Sequence, residues 1–530
     1  MSLKRLPLSV SDFKKLQEGN YIYVDKTKQI YDVLQSGEFF FLSRPRRFGK
    51  SLTVSTLNEL FLNRKELFKN TWIYNSDWKW REYTIIRIDF SNGISSDSKS
   101  TFESDFISYL ETIAQCYEFS LKKEVSITAK TKLLITTLAA INPLAILIDE
   151  YDSPLLKHID KPLLMEEIKE ILQTFYATIK ANNALISYLF ITGITRFAKM
   201  SVFSGMNNLH DLSFDITASD LCGYTQEELE TNYHDHLLIV AQQEEMTLPT
   251  LLDKIKCWYN GYRFSKENLT VYNPFSIVYF CIKKEFSNYW YDSGSPSYLM
   301  KLLKKHYSGD IEIGGEYHPI QGLQSAITPE NNIDFIPLLL QAGYLTITDY
   351  KKENDSFKLD YPNFECKEAF SILILAFYTN KADSSTATNI LYLRNTLQAL
   401  DFKGFFTKLE NLISSIAYMN REKSEKYYSS MIHLTFKILQ LNVTSEVQTH
   451  TGRIDTVVEM KDSIFIFEYK FNKTAQDALN QIKEKRYYAP YLDSGKQIVL
   501  IGISFNYIER AAGTTEGPTF DIEWKTENIA

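Results

Sequence analysis

The chain has 530 residues, of which 44% are hydrophobic and 14% aromatic, so it is too long for a single core and too apolar for wholesale disorder. Its formal net charge of -7 excludes a basic surface over the whole protein, so any contact with nucleic acid must be local. The five cysteines are scattered, no apolar stretch is as long as a membrane span, and the N-terminus lacks an apolar segment, so we expect a cytoplasmic protein with no membrane partner.

The first predicted strand covers residues 39–42 and runs into a basic loop, and a helix is predicted from Ser51 onward. The loop closes with Gly-Lys-Ser, as in the phosphate-binding pattern G-x-x-x-x-G-K-[ST], but Arg44 stands in place of the first glycine. A strand before such a loop and a helix after it are what an anion-binding helix N-terminus requires. The residues leave two interpretations open, a nucleotide site and a solvated basic turn.

Each polar position of the loop has a role if the loop binds a nucleotide. Gly49 lets the backbone approach the phosphates, Lys50 reaches the β- and γ-phosphates, and Ser51 is a Mg²⁺ ligand. Arg46 and Arg47 add positive charge. We expect Lys50 to be exposed, so that Lys50→Ala abolishes ATP turnover and leaves the fold intact.

A second apolar run, residues 144–148, ends in Asp149 and Glu150. Its continuous apolar character predicts a strand that is buried on both faces, as in a parallel sheet. At the end of such a strand Asp149 can hold the Mg²⁺ shell of a nucleotide, and Glu150 can act as a catalytic residue that polarises an attacking water. A strand end followed by a solvated acidic turn is the alternative.

Two further apolar segments, residues 84–91 and 187–197, predict strands of the same sheet, with helical stretches between them. An additional strand between the loop and the acidic strand, with glutamate after the aspartate, is the layout of P-loop ATPases that use a catalytic glutamate. Thr192 or Thr195 is placed to sense the γ-phosphate. Arg196 is either a charge stabiliser for the nucleotide or an ordinary surface residue.

Six motifs follow one another in the order SRPRRFGKSL, LIDEYDSPL, FITGITRFAKMSVFSGMNNLHDLS, GYTQEEL, WYNGYRF and VYNPFSI. Together they resemble the AAA-ATPase-like family of largely uncharacterised bacterial proteins, and the resemblance covers most of the chain. That family carries arginine where the phosphate-loop pattern has its first glycine. The resemblance implies ATP as the ligand and assigns the nucleotide site to Lys50, Ser51, Asp149 and Glu150.

Near the C-terminus, residues 453–460 and 464–471 alternate like strands, with Lys461-Asp462 as a tight hairpin turn between them. A two-residue turn at this position places Asp455 directly opposite Glu468, and Lys470 lies on the same face as Glu468. Two facing carboxylates repel each other unless a cation lies between them, and their oxygen atoms suit Mg²⁺ or Mn²⁺. An exposed hairpin of acidic and basic residues is the alternative.

The arrangement D-x12-E-x-K of Asp455, Glu468 and Lys470 resembles the active-site signature of the PD-(D/E)xK nuclease superfamily. Gly452-Arg453 replaces the proline that gives the motif its name. The resemblance implies that Asp455 and Glu468 are metal ligands and that all three residues are catalytic.

Two further elements of that signature are present. Glu446 occupies the position of an upstream acidic residue that these nucleases carry. A helix predicted from Thr474 places Gln481, Lys485 and Tyr488 on one stripe. In related nucleases this helix lines the site or contacts the nucleic-acid backbone, so Gln481 is a further catalytic candidate.

The predicted fold class is a multidomain α/β protein with four parts. Residues 1–220 form a P-loop (ASCE-type) ATPase domain with a parallel sheet, 221–310 a helical lid, and 311–385 a winged-helix-like connector. Residues 386–530 form a restriction-endonuclease-like α/β domain of the PD-(D/E)xK kind.

We expect an ATP-hydrolysing protein fused to a Mg²⁺-dependent nuclease, with Mn²⁺ as a substitute ion and DNA as the favoured nucleic acid. The alternative is an NTP-driven switch or scaffold whose nuclease-like domain only binds a partner. The acidic net charge favours the alternative, whereas an intact site at each end of the chain favours hydrolysis and cleavage. A homo-oligomer is compatible with either function.

Overall fold

The structure is a computed structural model that forms two compact units, Met1–Lys367 and Glu368–Ala530. It describes residues 3–196, 203, 206, 208–292, 298–299, 301–302, 317–323, 335–379, 384–417, 432, 435–436, 439, 442–449, 452–508 and 519–529. The fold is mixed α/β, as predicted.

The described helices are numbered here in chain order. They are α1 (Phe13–Glu18), α2 (Thr27–Ser36), α3 (Lys50–Phe61), α4 (Lys99–Cys116), α5 (Ile127–Ala139), α6 (Ser153–Lys157), α7 (Pro162–Ala181), α8 (Gln226–Gln243), α9 (Leu248–Tyr259), α10 (Pro274–Lys283), α11 (Tyr289–Asp292), α12 (Ile320–Leu323), α13 (Phe335–Ala342), α14 (Phe364–Thr379), α15 (Ser384–Gln398), α16 (Phe402–Ala417) and α17 (Ala475–Glu484).

The described strands belong to three sheets. They are β1 (Phe39–Ser43), β2 (Thr84–Asp89), β3 (Leu144–Asp149), β4 (Ile186–Gly193), β5 (His210–Asp211), β6 (Tyr317–Pro319), β7 (Thr346–Lys351), β8 (Ser356–Asp360), β9 (Asn442–Thr449), β10 (Gly452–Glu459), β11 (Ser463–Phe471), β12 (Gln497–Ile508) and β13 (Thr519–Ile529).

A parallel sheet in the order β2-β3-β4-β1-β5 forms the centre of the N-terminal region, as predicted. Every residue of β1 and β3 is buried, which is what their continuous apolar runs require. Strand β4 lies between them, with Ile191 level with both Phe41 and Ile148. Because the strands are parallel, the carboxyl ends of β1, β3 and β4 meet at one edge, where ligands bind in open α/β sheets.

Helices α8 to α10 form the predicted helical region that follows this sheet. Each begins at an N-cap residue whose side chain accepts a backbone N–H bond: Thr225, Thr247 and Asn273. Thr225 also forms a capping box with Glu228. The apolar faces of the three helices bury Tyr233 and its neighbours in a common core.

The predicted winged-helix-like connector contains a helix and a small antiparallel sheet in the order β6-β8-β7. Gly343 joins α13 to β7 in the left-handed conformation, with φ +91°, and a Cβ atom there would lie 2.7 Å from Pro45 Cβ. Glycine is therefore required both by the turn and by its contact with the basic loop. Within the range 311–385, residues 311–316, 324–334 and 380–383 lie outside the described part of the chain.

The second unit is built on a mixed sheet in the order β13-β12-β11-β10-β9. Strands β11 and β12 are parallel, and the other pairs are antiparallel. Helix α17 packs on this sheet, and Leu479 and Ile482 of the helix share a core with Ile466 and Leu500 of the strands. This mixed sheet with a helix on one face is the α/β arrangement predicted for the C-terminal domain.

Within the described residues, every helix is too short or too polar to cross a lipid bilayer.

Candidate functional site: a basic loop and a carboxylate hairpin

The basic loop after β1 turns directly into α3. Gly49 is the N-cap of this helix, with φ 95° and ψ 14° in the left-handed region, where glycine has no steric cost. A Cβ atom at Gly49 would have no neighbour within 4 Å. The backbone at Gly49 is therefore open at the N-terminus of a 12-residue helix. Such an N-terminus can bind phosphate through its N–H groups.

Lys50 is buried rather than exposed, which corrects the sequence-based expectation. Its Nζ atom donates to the carbonyl oxygens of Arg44 at 3.0 Å and Pro45 at 2.9 Å. Burial lowers the pKa of Lys50, and the negative charges of Glu150 and Asp149 oppose that effect. The ammonium group thus lies between the basic loop and the carboxyl end of β3, because the carboxyl ends of β1 and β3 lie at the same edge of the parallel sheet.

The side chain of Arg44 is buried, and its hydrogen bonds hold the basic loop in place. Its guanidinium donates to the carbonyl oxygens of Ser43 and Ser213 at 2.8 Å and of Ala218 at 2.7 Å. The guanidinium carbon lies 4.2 Å from the ring centroid of Phe264. Burial lowers the pKa of Arg44 to about 10, so the group is still a cation at neutral pH. The residue that replaces glycine is therefore a support for the loop.

Asp149 and Glu150 lie at the carboxyl end of β3, beside the end of β4. The Asp149 carboxylate accepts hydrogen bonds from the Thr192 hydroxyl and from the Glu150 N–H, the latter at 3.1 Å. Glu150 has a left-handed backbone, with φ 50°. Burial raises the pKa of Glu150, whereas the charge of Lys50 lowers it. The structure thus brings Lys50, Asp149, Glu150 and Thr192 together, while Ser51 lies half-buried in the first turn of α3.

The three arginines that the sequence assigned to the nucleotide lie in different environments. Arg196 is buried in an ion pair with Asp211 of β5, and burial lowers its pKa to about 10. Arg46 is half-buried and Arg47 is exposed. Only Arg46 and Arg47 therefore lie where the loop meets solvent, and Arg196 connects the end of β4 to the edge of the sheet.

Asp152 is a residue that sequence reasoning missed. It is fully buried, and its carboxylate accepts hydrogen bonds from the Ile194 and Thr195 N–H groups and from the Thr195 hydroxyl. These bonds replace the next bonds of the sheet, which is why β4 ends at Gly193 and residues 194–196 are not part of the strand, contrary to the prediction. The last residue of the predicted range, 197, lies outside the described part of the chain. The second aspartate of the sequence D-E-Y-D is the signal from which Asp152 could have been identified.

The C-terminal hairpin has the predicted register. Thr456 pairs with Phe467 and Val457 with Ile466, and the Met460 N–H donates to the Ser463 carbonyl at 2.8 Å across the two-residue turn. Asp455 and Glu468 are the next residues of the two strands beyond these pairs, Asp455 accepts the Tyr469 N–H at 2.9 Å, and its charge acts on the Glu468 carboxyl. The two carboxylates therefore face each other across neighbouring strands.

Glu468 is almost completely buried. Its Oε1 atom accepts hydrogen bonds from Lys470 Nζ at 3.1 Å and from the Gln481 amide. Its Oε2 atom is buried and has no hydrogen-bond partner among the described residues. Burial, followed by the charge of Asp455, raises the pKa of Glu468 to about 8. Such a carboxylate lacks a partner that a cation would supply, so the residues present fit a divalent ion.

Glu446 lies on β9, next to the hairpin. Ile454 pairs with Val447 and Thr456 with Ser445, so position 446 is level with Asp455 on the neighbouring strand. Within the described residues, no group of three His, Cys, Asp or Glu side chains is arranged around a common metal position. Two carboxylates with substrate oxygens and water are nevertheless a normal ligand set for Mg²⁺.

Helix α17 was predicted to begin at Thr474, which is its N-cap, but the helix ends earlier than predicted. Arg486 has a left-handed backbone with φ 50°, and the Tyr487 N–H returns to the Ile482 carbonyl at 3.1 Å. The expected stripe is therefore interrupted: Gln481 reaches Glu468, whereas Tyr488 packs against the apolar core.

Gly502 is a second residue that sequence reasoning missed. It pairs with Glu468 on the neighbouring strand. A Cβ atom at this position would collide with the Ala475 carbonyl and lie 2.7 Å from the Leu479 nitrogen of α17. The missing side chain lets the helix approach the sheet at the level of Glu468, which brings Gln481 within reach.

Comparison with known proteins finds a family model that matches each of the two regions. The model of the family described as "Predicted AAA-ATPase" matches residues 7–203, and that of the PD-(D/E)XK nuclease superfamily matches residues 423–514. The chain is 33% identical over 526 residues to an "Uncharacterized protein in vnfD 5'region" of Azotobacter chroococcum mcd 1, covering 96% of this chain and 98% of the relative. No solved structure matches the chain.

Proposed function

Because this chain belongs to the AAA-ATPase-like family and ends in a domain of the PD-(D/E)XK nuclease superfamily, we propose that it hydrolyses ATP and cleaves DNA. The proposed domains are 1–220 for the ATPase, 221–310 for the lid, 311–385 for the connector and 386–530 for the nuclease. The boundary between the two compact units, after Lys367, falls inside the proposed connector.

In the proposed ATP site the open backbone at Gly49 and the ammonium of Lys50 bind the phosphates, and Arg46 and Arg47 add charge at the solvent side. Ser51 and Asp149 would hold Mg²⁺, the usual partner of ATP in P-loop proteins. The Thr192 hydroxyl is bonded to Asp149 and so orients this carboxylate.

Glu150 is the proposed base for the attacking water of ATP hydrolysis. Burial raises its pKa, which makes it a better proton acceptor than an ordinary glutamate. Its left-handed backbone is a strained conformation that functional sites retain. Arg196 is assigned a supporting role, because its ion pair with Asp211 occupies it.

In the proposed nuclease site Asp455 and Glu468 would hold Mg²⁺ or Mn²⁺, with Glu446 as a further acidic residue. A bound ion of this kind supplies Lewis-acid chemistry at a phosphate group. Lys470 places its positive charge beside Glu468 and stabilises negative charge that develops on the phosphate. Gln481 fixes the orientation of the Glu468 carboxylate through its amide.

One observation carries the nuclease proposal: a buried carboxylate oxygen that has no hydrogen-bond partner in the described part of the chain, next to a second carboxylate and a lysine. A hairpin that served only for packing or for binding a protein would gain stability by replacing Glu468 with an apolar residue. Retaining a carboxyl group there is useful if a cation and a phosphate are brought to it.

The first experiment separates metal binding from cleavage. Lys470→Ala should retain Mn²⁺ binding, because an ammonium has no lone pair, but it should lose DNA cleavage by roughly 10²-fold. Asp455→Ala should lose both, since it removes one of the two proposed ligands. Calorimetric titration with Mn²⁺ and cleavage of labelled DNA and RNA, with and without ATP, measure the two properties.

Lys473→Ala is the matched control, since Lys473 is an exposed lysine just beyond the same strand, and it should cut at the wild-type rate. Equal cleavage by Lys470→Ala and wild type would contradict the role of Lys470. A wild-type protein that neither binds Mn²⁺ nor cuts nucleic acid would favour the NTP-driven switch or scaffold instead.

A further inference from the structure

Tyr298 carries a polar group that nothing in the described structure satisfies. The residue is 2% exposed, and its hydroxyl has no hydrogen-bond partner among the described residues. Burying a hydroxyl without a partner costs free energy, so such groups are rare in folded proteins and call for an explanation. A ligand that accepts the hydrogen bond is one explanation, provided that the hydroxyl lies next to a binding site.

The ring of Tyr298 contacts the basic loop. The guanidinium carbon of Arg46 lies 5.8 Å from the ring centroid, a cation–π distance. The same side of the loop is fixed by Trp290, whose indole N–H donates to the Arg46 carbonyl at 3.3 Å. Lys301, three positions after Tyr298, donates hydrogen bonds to Asp160 at 2.7 Å and to the Lys157 carbonyl at 3.2 Å.

Charges from the basic loop and from the turn after β3 both influence the Tyr298 hydroxyl. Burial raises the pKa of Tyr298, the charge of Arg46 lowers it, and the carboxylate of Asp152 raises it further. Asp152 follows Glu150 by two positions and holds the backbone of Thr195. The Tyr298 ring therefore lies against the loop that is proposed to bind phosphates, and its hydroxyl is influenced by the carboxylate of Asp152, three residues after the end of β3.

We propose that the Tyr298 hydroxyl donates a hydrogen bond to the terminal phosphate of bound ATP. This inference rests on the proposed ATP site and adds to it a ligand contact from within the proposed lid, residues 221–310. A phenol at this position distinguishes ATP from ADP, because only ATP has the phosphate that it contacts. The cation–π contact with Arg46 keeps the ring in place.

The test compares the affinities of Tyr298→Phe for two nucleotides by calorimetry. The variant keeps the ring over Arg46 and removes only the hydroxyl. Its affinity for the β,γ-imido analogue of ATP should fall about 10-fold or more, as expected for a hydrogen bond to a charged acceptor. Its affinity for ADP should equal that of the wild type. Its thermal unfolding temperature should not fall, since a buried hydroxyl without a partner is removed.

Tyr176→Phe is the matched control. Tyr176 is also a buried phenol without a partner in the described structure, but its ring packs against Phe175 and Phe203 instead of a loop arginine. It should bind both nucleotides like the wild type. An unchanged analogue affinity in Tyr298→Phe, or an equal loss for ADP, overturns the inference. A wild type that binds neither nucleotide overturns the proposed ATP site itself.

Discussion

Arg44 occupies the position at which the phosphate-binding pattern has its first glycine, and its side chain explains why the loop tolerates the change. Glycine at this position lends conformational freedom, whereas Arg44 donates to the carbonyl groups of Ser213 and Ala218 and packs on Phe264. The loop is thereby attached to the chain beyond β5. Restoring the glycine of the general pattern would remove this attachment.

Arg44→Gly should therefore weaken the protein. The substitution leaves three carbonyl oxygens, those of Ser43, Ser213 and Ala218, without the guanidinium donors. At roughly 1–3 kcal/mol for each unsatisfied group, the free energy of unfolding should fall by about 3 kcal/mol or more. ATP affinity should fall with it, because the loop whose main-chain carbonyls at positions 44 and 45 bind Lys50 loses its attachment. Urea unfolding and nucleotide calorimetry measure both effects.

The control is Arg47→Gly, in the same loop. Arg47 is exposed and has φ 66°, a conformation that glycine adopts without strain, so its free energy of unfolding should change by less than about 1 kcal/mol. If Arg44→Gly proves as stable as Arg47→Gly, the side chain of Arg44 is not a support for the loop.

The packing of α17 on the mixed sheet decides where Gln481 lies. Gly502 allows this helix to touch the backbone of β12, at the level of Glu468. A methyl group at Gly502 would meet backbone atoms of α17, which cannot rotate away as a side-chain end can.

Gly502→Ala should displace α17 and so separate Gln481 from Glu468. Overpacking of this kind costs about 1–3 kcal/mol of unfolding free energy, and both Mn²⁺ affinity and DNA cleavage should fall. Gly495→Asn is the control, because Gly495 has φ +69°, which asparagine tolerates, and no atom lies within 4 Å of a Cβ there. Normal Mn²⁺ binding by a folded Gly502→Ala variant would show that α17 need not lie so close.

Elements defined by neighbouring residues were predictable from the sequence. Continuous apolar runs predicted β1 and β3, and alternation around Lys461-Asp462 predicted the hairpin and its register. These patterns depend on positions two to four residues apart. The opposition of Asp455 and Glu468 follows from the hairpin pattern, whereas the order of the parallel sheet joins strands that are far apart in the chain.

Features that depend on distant positions were not predictable. Arg44 finds its acceptors 169 and 174 positions along the chain, and no local pattern shows that its side chain turns inward. Lys50 was expected to be exposed for the same reason. The wrong prediction for Tyr488 has a local cause. The left-handed backbone of Arg486 interrupts the helix before Tyr488, so this residue does not lie on the predicted stripe.

Each of the two compact units contains the whole residue set of one proposed site. Lys50, Ser51, Asp149 and Glu150 belong to Met1–Lys367, and Asp455, Glu468, Lys470 and Gln481 belong to Glu368–Ala530. Binding of ATP and binding of a divalent ion should therefore be separable by single substitutions, whatever coupling exists between hydrolysis and cleavage.

Lys50→Met and Asp455→Asn should have opposite effects. Lys50→Met keeps the buried stem of the lysine and removes the ammonium that the loop carbonyls bind, so nucleotide binding and ATP turnover should be lost while Mn²⁺ binding remains. Asp455→Asn keeps an oxygen acceptor for the Tyr469 N–H and removes one charge, so Mn²⁺ affinity should fall at least 10-fold while ATP turnover remains. Mn²⁺ calorimetry without nucleotide and phosphate-release assays on both variants measure this. Loss of both properties in either variant would show that one site depends on the other, because global unfolding is excluded by circular dichroism on the same samples.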